Sequence, residues 1–125
     1  MKYYVDGFTL GHNPSSKGGG YTIVDETKKL IKRETIFKNY FTNNDGEFLG
    51  LLDCLRLAEN GDIIVTDSYT ATRWVLNGKS KARKDLSSLC LEAKKLMISK
   101  NLKILLEPRD TNLAGQFNEF GHVLF

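Results

Sequence analysis

Five short runs of apolar and β-branched residues, each bounded by turn-forming residues, predict β-strands. A connection rich in Gly, Ser, Asn and Pro separates the first two runs, which are therefore expected to form a hairpin. The third run sets β-branched residues among charges and predicts a more exposed strand. The predicted strands cover residues 2–8, 19–25, 28–37, 62–66 and 102–106.

Elsewhere the apolar residues recur at helical spacing. The stripe from Phe48 to Leu55 predicts a helix that begins near Asn44 and ends near Gly61, where glycine suits a left-handed cap. Ser68 is placed to cap a short second helix. Including these two, the predicted helices cover about residues 44–60, 68–76, 86–97 and 112–120.

The order of these elements predicts an α/β fold. Three strands in succession favour an antiparallel arrangement, and two further strands are each entered through helices. Right-handed crossovers would place the fourth strand beside the first and parallel to it. We therefore expect a mixed five-stranded sheet, three antiparallel strands and then two parallel ones, flanked by helices.

Composition limits the classes of protein to consider. The chain has 125 residues, 41% hydrophobic and 26% charged, which fits a single domain over residues 1–125. Its apolar runs fall short of the roughly 18 residues that a membrane span needs. The start resembles a strand rather than a secretory signal, so we expect a cytoplasmic protein. Cys54 and Cys90 lie on apolar helix faces and are expected to be buried, reduced thiols.

Positive charge is concentrated between Lys79 and Lys103, called the basic segment below. It holds eight basic and two acidic residues, a net charge of +6, whereas the whole chain carries +3. Such a segment suits a polyanion whose backbone is held by cations. A solvated helix face explains the same pattern equally well.

Three acids stand where a carboxylate adds nothing to packing. Asp6 closes the first predicted strand, Asp67 closes the fourth, and Glu47 lies in the first turn of a helix. If the two strands are parallel neighbours, both aspartates emerge at the same carboxyl edge of the sheet, where α/β proteins bind ligands. Carboxylate oxygens are the ligands that hard divalent cations prefer. The pattern therefore predicts a metal site made by Asp6, Glu47 and Asp67.

Structural explanations exist for two of these acids taken singly. Glu47 could complete a capping box with Asn44, three residues earlier. Asp67, directly before Ser68, could be a charge that complements the helix dipole. Asp6 is harder to explain in this way, because an apolar strand that runs straight into Asp-Gly needs a turn or a ligand.

Four motifs, in order along nearly the whole chain, resemble the successive motifs of the type 1 ribonuclease H family. Each is weak alone, since an Asp-Gly pair occurs in many proteins. Their order and their positions on the predicted elements carry the resemblance. They are Asp6-Gly7 with a glycine-rich turn containing Asn13-Pro14, the segment 42–47, the segment 65–68 and the segment 109–114.

The resemblance implies a ribonuclease H-like fold and an endonuclease that hydrolyses the RNA strand of an RNA/DNA hybrid. Its catalytic and metal-binding residues would be Asp6, Glu47 and Asp67, with two Mg²⁺ ions, or Mn²⁺, activating water and stabilising the leaving oxygen. Two alternatives stay open. One is a binding module of this fold with weak or no catalysis, and the other is a related nuclease acting on DNA or structured RNA.

Short polar side chains near these acids suit the minor groove of a hybrid and the 2′-hydroxyls of RNA. Turn and cap roles explain several of them equally well. Arg109 stands where family members often carry a histidine, and arginine can clamp a phosphate but cannot shuttle a proton near neutral pH. The expected substrate-binding residues are Gly7, Asn13, Asn43, Asn44 and Arg109.

The last predicted helix departs from the family pattern. Many members carry a fourth acid four residues after the asparagine that corresponds to Asn112, and here that residue is Gln116. An amide cannot replace a carboxylate as an anionic ligand. Glu119, three residues further along the helix, is the first candidate to substitute, and Asp110 is the second.

Substrate affinity has several expected sources. Trp74 is a candidate support for the DNA strand, although a lone tryptophan on an amphipathic helix is more often part of the core. The path from Leu76 to Leu86 is too short for the long basic insertion of some family members. Tight binding would then depend on the basic segment or on a replication or reverse-transcription partner. We expect the chain itself to be a monomer.

Overall fold

The computed structural model describes residues 1–121 of the chain. In this part the strands are β1 (Lys2–Thr9), β2 (Gly18–Asp25), β3 (Leu30–Phe37), β4 (Ile63–Thr66) and β5 (Lys103–Leu106). The α-helices are α1 (Asn43–Leu57), α2 (Tyr69–Asn77), α3 (Ser87–Ser99) and α4 (Leu113–Phe120), and two short 3₁₀ turns cover Lys84–Leu86 and Arg109–Thr111. Each predicted strand and helix is present, with its ends displaced by a few residues.

The strands form one mixed sheet in the order β3-β2-β1-β4-β5. β1 and β2 are antiparallel, as are β2 and β3, whereas β4 runs parallel to both β1 and β5. The expected placement of the fourth strand beside the first is therefore confirmed. This order brings the carboxyl end of β4 next to the middle of β1.

β1 ends one residue beyond its predicted end at residue 8, and Asp6 lies within the strand and does not close it. Pairing with β4 stops at Tyr4, opposite Val65, but pairing with β2 continues through Asp6 to Thr9. The antiparallel partner keeps the strand extended after the parallel partner has ended. Asp6 therefore lies on a continuous strand, just past the carboxyl end of β4.

Helix α1 supplies the centre of the hydrophobic core. It packs against β1 and β2 and against helices α2 and α3, while α4 packs on β1 and β2. The predicted stripe of α1 is almost completely buried, with Phe48, Leu51 and Leu55 at 0% exposure. Burying one such side chain stabilises the fold by roughly 1.5–3 kcal/mol. The core thereby fixes the position of the helix that carries Glu47.

The start of α1 also differs from the prediction. Thr42 is the N-cap and forms a capping box with Asp45, in which each side chain accepts a hydrogen bond from the other residue's backbone N–H. Glu47 therefore lies in the second turn and takes no part in capping. The prediction that Glu47 lies in the first turn is therefore wrong, and the alternative explanation of Glu47 as part of a capping box with Asn44 is removed.

Both cysteines lie in the hydrophobic core, as the sequence predicts. Cys54 and Cys90 are buried and unpaired, and His12 is exposed. Among residues 1–121, no helix is both long enough and apolar enough to cross a membrane. His122 and the apolar tail 123–125 lie outside the described residues.

Candidate metal centre

The structure brings Asp6, Glu47 and Asp67 together at the carboxyl edge of β4. Asp67 follows β4 directly, Asp6 lies on the neighbouring strand, and α1 delivers Glu47 from above the edge. One carboxylate oxygen from each residue lies within 4.8 Å of the others. Asp6 and Glu47 are buried and Asp67 is partly exposed. The cluster is therefore open to solvent on the side of Asp67.

Two glycines allow α1 to approach β1 this closely. A Cβ atom on Gly7 would lie 2.4 Å from the backbone nitrogen of Glu47, and one on Gly46 would lie 2.4 Å from the carbonyl oxygen of Gly20. Only glycine fits at such distances from backbone atoms. The backbone N–H of Gly7 also lowers the pKa of Glu47, in opposition to burial. Gly7 is therefore buried under α1 and holds Glu47, whereas the sequence analysis expected an exposed backbone contact to substrate.

Two oxygen atoms of the cluster are buried without a hydrogen-bond donor. They are Oδ1 of Asp6 and Oε2 of Glu47. A buried carboxylate oxygen is costly unless a donor or a cation compensates it. Three converging carboxylates with two uncompensated oxygens fit a hard divalent cation, which binds oxygen ligands. The residues present are therefore suited to hold a metal ion.

The electrostatics of the cluster also favour a cation. Burial is the largest cause that raises the pKa of Glu47 from its ordinary value of 4.5 to about 9, and the charges of Asp6 and Asp67 add to it. Burial likewise raises the pKa of Asp6, although a hydrogen bond from Asn118 and the charge of Arg109 oppose the increase. Three anions so close repel one another until a proton or a cation is bound. In the metal-free protein, a proton on Glu47 relieves this repulsion.

Asp6 has two polar neighbours at the carboxyl edge. Asn118 of α4 donates from Nδ2 to Asp6 Oδ2 at 2.9 Å. Arg109 Nη2 lies 3.6 Å from the same oxygen, and about half of the Arg109 side chain is exposed. Both neighbours engage Oδ2, which leaves Oδ1 buried without a donor. The guanidinium of Arg109 therefore stands beside the cluster with donors still available to a phosphate.

A polar groove of about 250 Å³ extends from the cluster over the first turns of α1 and α2. Asn13 adjoins it, because Asn13 Oδ1 accepts a hydrogen bond from the backbone N–H of Asn43 at 3.0 Å. This bond leaves the Asn13 amide nitrogen as a further donor near the groove. The residues that line the groove are Asn43, Asn44, Glu47, Asp67, Ser68, Tyr69 and Thr70.

Solved structures with the same architecture identify the fold. LC11-RNase H1, isolated from compost by a metagenomic approach, is 24% identical, with a TM-score of 0.65 over 94% of this chain and 92% of that chain. RNase H1 from the halophilic archaeon Halobacterium salinarum is 21% identical, with a TM-score of 0.64 over 90% of this chain and 89% of that chain. The chain has the ribonuclease H fold. The expected fold class is therefore confirmed.

One similar structure contains a nucleic acid. LC11-RNase H1 in complex with an RNA/DNA hybrid is 23% identical to this chain, with a TM-score of 0.60 over 89% of this chain and 87% of that chain. No protein-family model matches the sequence, and no curated protein matches it either. The similarity is thus carried by structure more than by sequence.

The last helix of this ribonuclease H fold brings an amide, not an acid, to the cluster. Glu119 is exposed and is not a member of the carboxylate group, so the structure does not support the substitution proposed from the sequence. Asp110 is exposed and also lies outside that group. Gln116 is buried, and its Nε2 donates to the Asp110 carbonyl at 3.3 Å. The side chain of α4 that reaches Asp6 is Asn118.

The basic side chains of the basic segment fall into two groups. Some bind other parts of the protein, and others are exposed to solvent. Lys100 Nζ donates to the carbonyl oxygens of Leu55, Arg56 and Ala58 at 2.9, 2.7 and 2.9 Å, so it closes the end of α1. Lys79 and Lys81 are exposed. The sequence counted these lysines together, but only the exposed ones are available to a polyanion.

Trp74 packs against the core and also lines a surface groove. Its ring meets Phe48 edge-on, with ring centroids 5.8 Å apart. Its other side faces a groove of about 410 Å³ that Arg73, Lys79 and Lys81 also line. Positive charge beside an aromatic ring suits a nucleic-acid backbone and its bases. The two interpretations of Trp74 are therefore compatible.

Two residues near the cluster were missed by the sequence analysis. Tyr69 is 64% exposed and lines the polar groove. One feature of the sequence could have identified Tyr69 as a neighbour of the cluster: it is the first residue of the helix that directly follows Asp67 and Ser68. Asn118 follows the buried Ala114 by four residues, which places it on the inward face of α4. From the sequence alone, Asn118 cannot be distinguished from an ordinary surface residue, because the packing of α4 against β1 is what brings it to Asp6.

Proposed function

We propose that this protein is a metal-dependent endonuclease that hydrolyses the RNA strand of RNA/DNA hybrids. One observation carries the proposal. On a ribonuclease H fold, Asp6, Glu47 and Asp67 converge beside a polar groove, and Asp6 and Glu47 each present one buried oxygen without a donor. The hybrid bound to the similar LC11-RNase H1 supports the choice of substrate.

Asp6, Glu47 and Asp67 would hold the metal. Mg²⁺ is the expected ion and Mn²⁺ an acceptable one, because oxygen ligands accept both. Two bound ions would supply an activated water and charge compensation at the leaving oxygen. The contribution of this chain is to hold three anions in a partly buried site, which it does through the rigid strands β1 and β4 and the buried helix α1.

The surrounding residues would orient the substrate. Asn43 and Asn44 offer amide donors and acceptors along the polar groove, where the 2′-hydroxyls and base edges of a hybrid can be recognised. Arg109, half exposed beside Asp6, would bind a phosphate oxygen without exchanging a proton. The groove beside Trp74 and Lys79 would take the backbone of the second strand.

The test is a cleavage assay with a labelled RNA/DNA hybrid and Mg²⁺. Wild-type protein should cut the RNA strand, and Asp67→Asn should abolish cutting because it removes one anionic ligand while keeping the side-chain shape. Glu59→Gln is the matched control, since Glu59 is an exposed acid just beyond the far end of α1. Cleavage that survives in Asp67→Asn would contradict the proposal.

Other substrates are tested in the same experiment. Duplex DNA and duplex RNA, incubated in parallel, distinguish a hybrid-specific enzyme from a related nuclease. Hybrid binding without cleavage by the wild-type protein would indicate a binding module. The replacement of the usual fourth acid by Gln116 is the observation that keeps this second candidate in the test.

A further inference from the structure

The two oxygens of Asp6 have different surroundings. Oδ2 accepts a hydrogen bond from Asn118 Nδ2 at 2.9 Å, whereas Oδ1 is buried without a donor. A carboxylate whose one oxygen is held by a donor keeps a fixed rotation about its last side-chain bond. The direction of the other, donor-free oxygen is then fixed as well, in a residue whose carboxylate belongs to the cluster with Glu47 and Asp67.

Asn118 is itself held by a second residue. Thr22 Oγ1 donates to Asn118 Oδ1 at 2.5 Å. Thr22 is fully buried and lies directly opposite Asp6 in the β1–β2 register, so both side chains stand on the same face of the sheet under α4. An ionised carboxylate can only accept, so the NH₂ group of Asn118 must face Asp6 and its oxygen must face Thr22. The direction of both hydrogen bonds, from Thr22 to Asn118 and from Asn118 to Asp6, is therefore fixed.

The backbone of β1 anchors α4 at the same place. Asn118 Nδ2 also approaches the carbonyl oxygen of Asp6 at 3.3 Å, and Asn112 Nδ2 donates to the carbonyl oxygen of Val5 at 3.0 Å. Asn112 is in addition the N-cap of α4, where it accepts from the N–H groups of Ala114 and Gly115. Two asparagines therefore fix the helix to consecutive residues of β1.

We propose that Asn118 is a positioning residue for Asp6, and that the chain from Thr22 through Asn118 sets the affinity of the carboxylate cluster for divalent cations. This inference rests on the proposed function in taking Asp6 as a metal ligand. In this protein, α4 contributes a neutral donor that orients an existing anion, not an additional anion that would repel it. Partners that orient metal ligands in this way typically change metal affinity by about 10–100-fold when they are removed.

The test is a calorimetric titration of the full chain with Mn²⁺ in the absence of nucleic acid. Asn118→Leu keeps the side-chain size but removes both polar atoms, and should weaken Mn²⁺ binding about 10–100-fold. Glu59→Gln, an exposed acid just beyond the far end of α1, should leave the affinity unchanged. In hybrid cleavage at subsaturating Mn²⁺, Asn118→Leu should lower kcat without raising KM for the hybrid. Wild-type affinity in Asn118→Leu would overturn the proposal.

A second pair of variants covers the case in which Asn118→Leu does not fold. Thr22→Val removes the hydroxyl that orients the Asn118 amide, whereas Thr22→Ser keeps it. Mn²⁺ affinity should fall in Thr22→Val and be restored in Thr22→Ser, and equal affinities in the two would overturn the proposal.

The titration also separates this inference from the proposed function. A wild-type protein that binds Mn²⁺ but does not cut the hybrid would contradict only the function, while the variants would still decide the role of Asn118. A wild-type protein that cuts the hybrid, with unchanged Mn²⁺ binding in Asn118→Leu, would contradict only the role of Asn118. A wild-type protein that binds no Mn²⁺ would overturn both.

Discussion

Arg83 donates to Asp45, the acid that caps α1, and so joins the basic segment to the helix that carries Glu47. The same guanidinium holds Asp85 through two hydrogen bonds of 3.0 Å. Asp45 is nearly fully buried, and its second oxygen accepts from the Thr42 N–H at 2.9 Å. A cation of the basic segment, for which the sequence left polyanion binding and a solvated helix face equally open, therefore fixes the start of α1.

Replacing Arg83 with Ala should destabilise the protein by about 1–3 kcal/mol, because it leaves the buried Asp45 carboxylate without its charged partner. Urea unfolding measures the loss. Lys84→Ala, at the exposed neighbouring position, should leave the unfolding midpoint close to that of the wild type. Equal midpoints for Arg83→Ala and Lys84→Ala would show that the pair with Asp45 contributes nothing.

Substitution of Gly46 by Ala should weaken metal binding as well as stability. The added Cβ would lie 2.4 Å from the Gly20 carbonyl oxygen of β2 and 3.2 Å from the Phe8 nitrogen of β1, so α1 must move away from the sheet and carry Glu47 with it. Mn²⁺ titration and thermal unfolding measure the two effects. Gly115→Ala is the matched control on another helix, where the nearest atom would be 3.3 Å away and a small adjustment suffices. Wild-type Mn²⁺ affinity in Gly46→Ala would contradict the close-approach argument.

The elements and the order of the sheet could be predicted from the sequence because they depend on local patterns. The stripe from Phe48 to Leu55 and the run from Ile63 to Thr66 each specify one element whatever surrounds them. The approach of Asp6 to Asp67 followed from that order, because β4 ends beside Asp6 of its parallel neighbour β1, and α1 brings Glu47 to the same place.

The details that the sequence did not predict depend on contacts between distant residues. The end of β1 was misplaced because pairing with β2, not the residue type, decides how far the strand extends past Asp6. The N-cap was misplaced because Thr42 and Asn44 are both good capping residues, and the bonds of Asp45 to Thr42 and to the distant Arg83 favour the first. Asn118 was missed because its role requires the rotation of α4 relative to Thr22 and Asp6.

The lysines of the basic segment should separate into two groups by experiment. Lys100→Met should lower stability by about 1–3 kcal/mol, because three carbonyl oxygens at the end of α1 lose a charged donor. Its affinity for the hybrid should stay unchanged. Lys79→Ala with Lys81→Ala should leave stability unchanged but weaken hybrid binding and reduce its salt dependence, since exposed cations release counterions from the nucleic acid.

Fluorescence anisotropy at several salt concentrations, together with urea unfolding, measures both groups of variants. If Lys100→Met were as stable as the wild type but bound the hybrid more weakly, the assignment of Lys100 to the structural group would be wrong. Unchanged salt dependence in the double variant would contradict the assignment of Lys79 and Lys81 to the other group.

The metal-free protein should become less stable as pH rises between about pH 5 and pH 9. The pKa of Glu47 is raised from 4.5 to about 9 in the folded state, so folding takes up a proton in this range and the unfolded chain releases it. The raised pKa of Asp6 acts in the same direction. Asp25 and Asp62 have lowered pKa values, so their ionised forms stabilise the folded state. This stabilisation is lost only as the pH falls to the ordinary pKa of 3.8 and below, so it does not change between about pH 5 and pH 9.

Urea unfolding in EDTA across this range measures the slope. Glu47→Gln cannot ionise at that position and should show a flatter dependence, whereas Glu59→Gln, exposed at the far end of α1, should follow the wild type. Saturating Mg²⁺ should also flatten the slope, because a cation replaces the proton among the three carboxylates and its stabilising effect grows as the pH rises. A wild-type slope that Mg²⁺ does not change would mean that the cluster binds no cation in the folded protein.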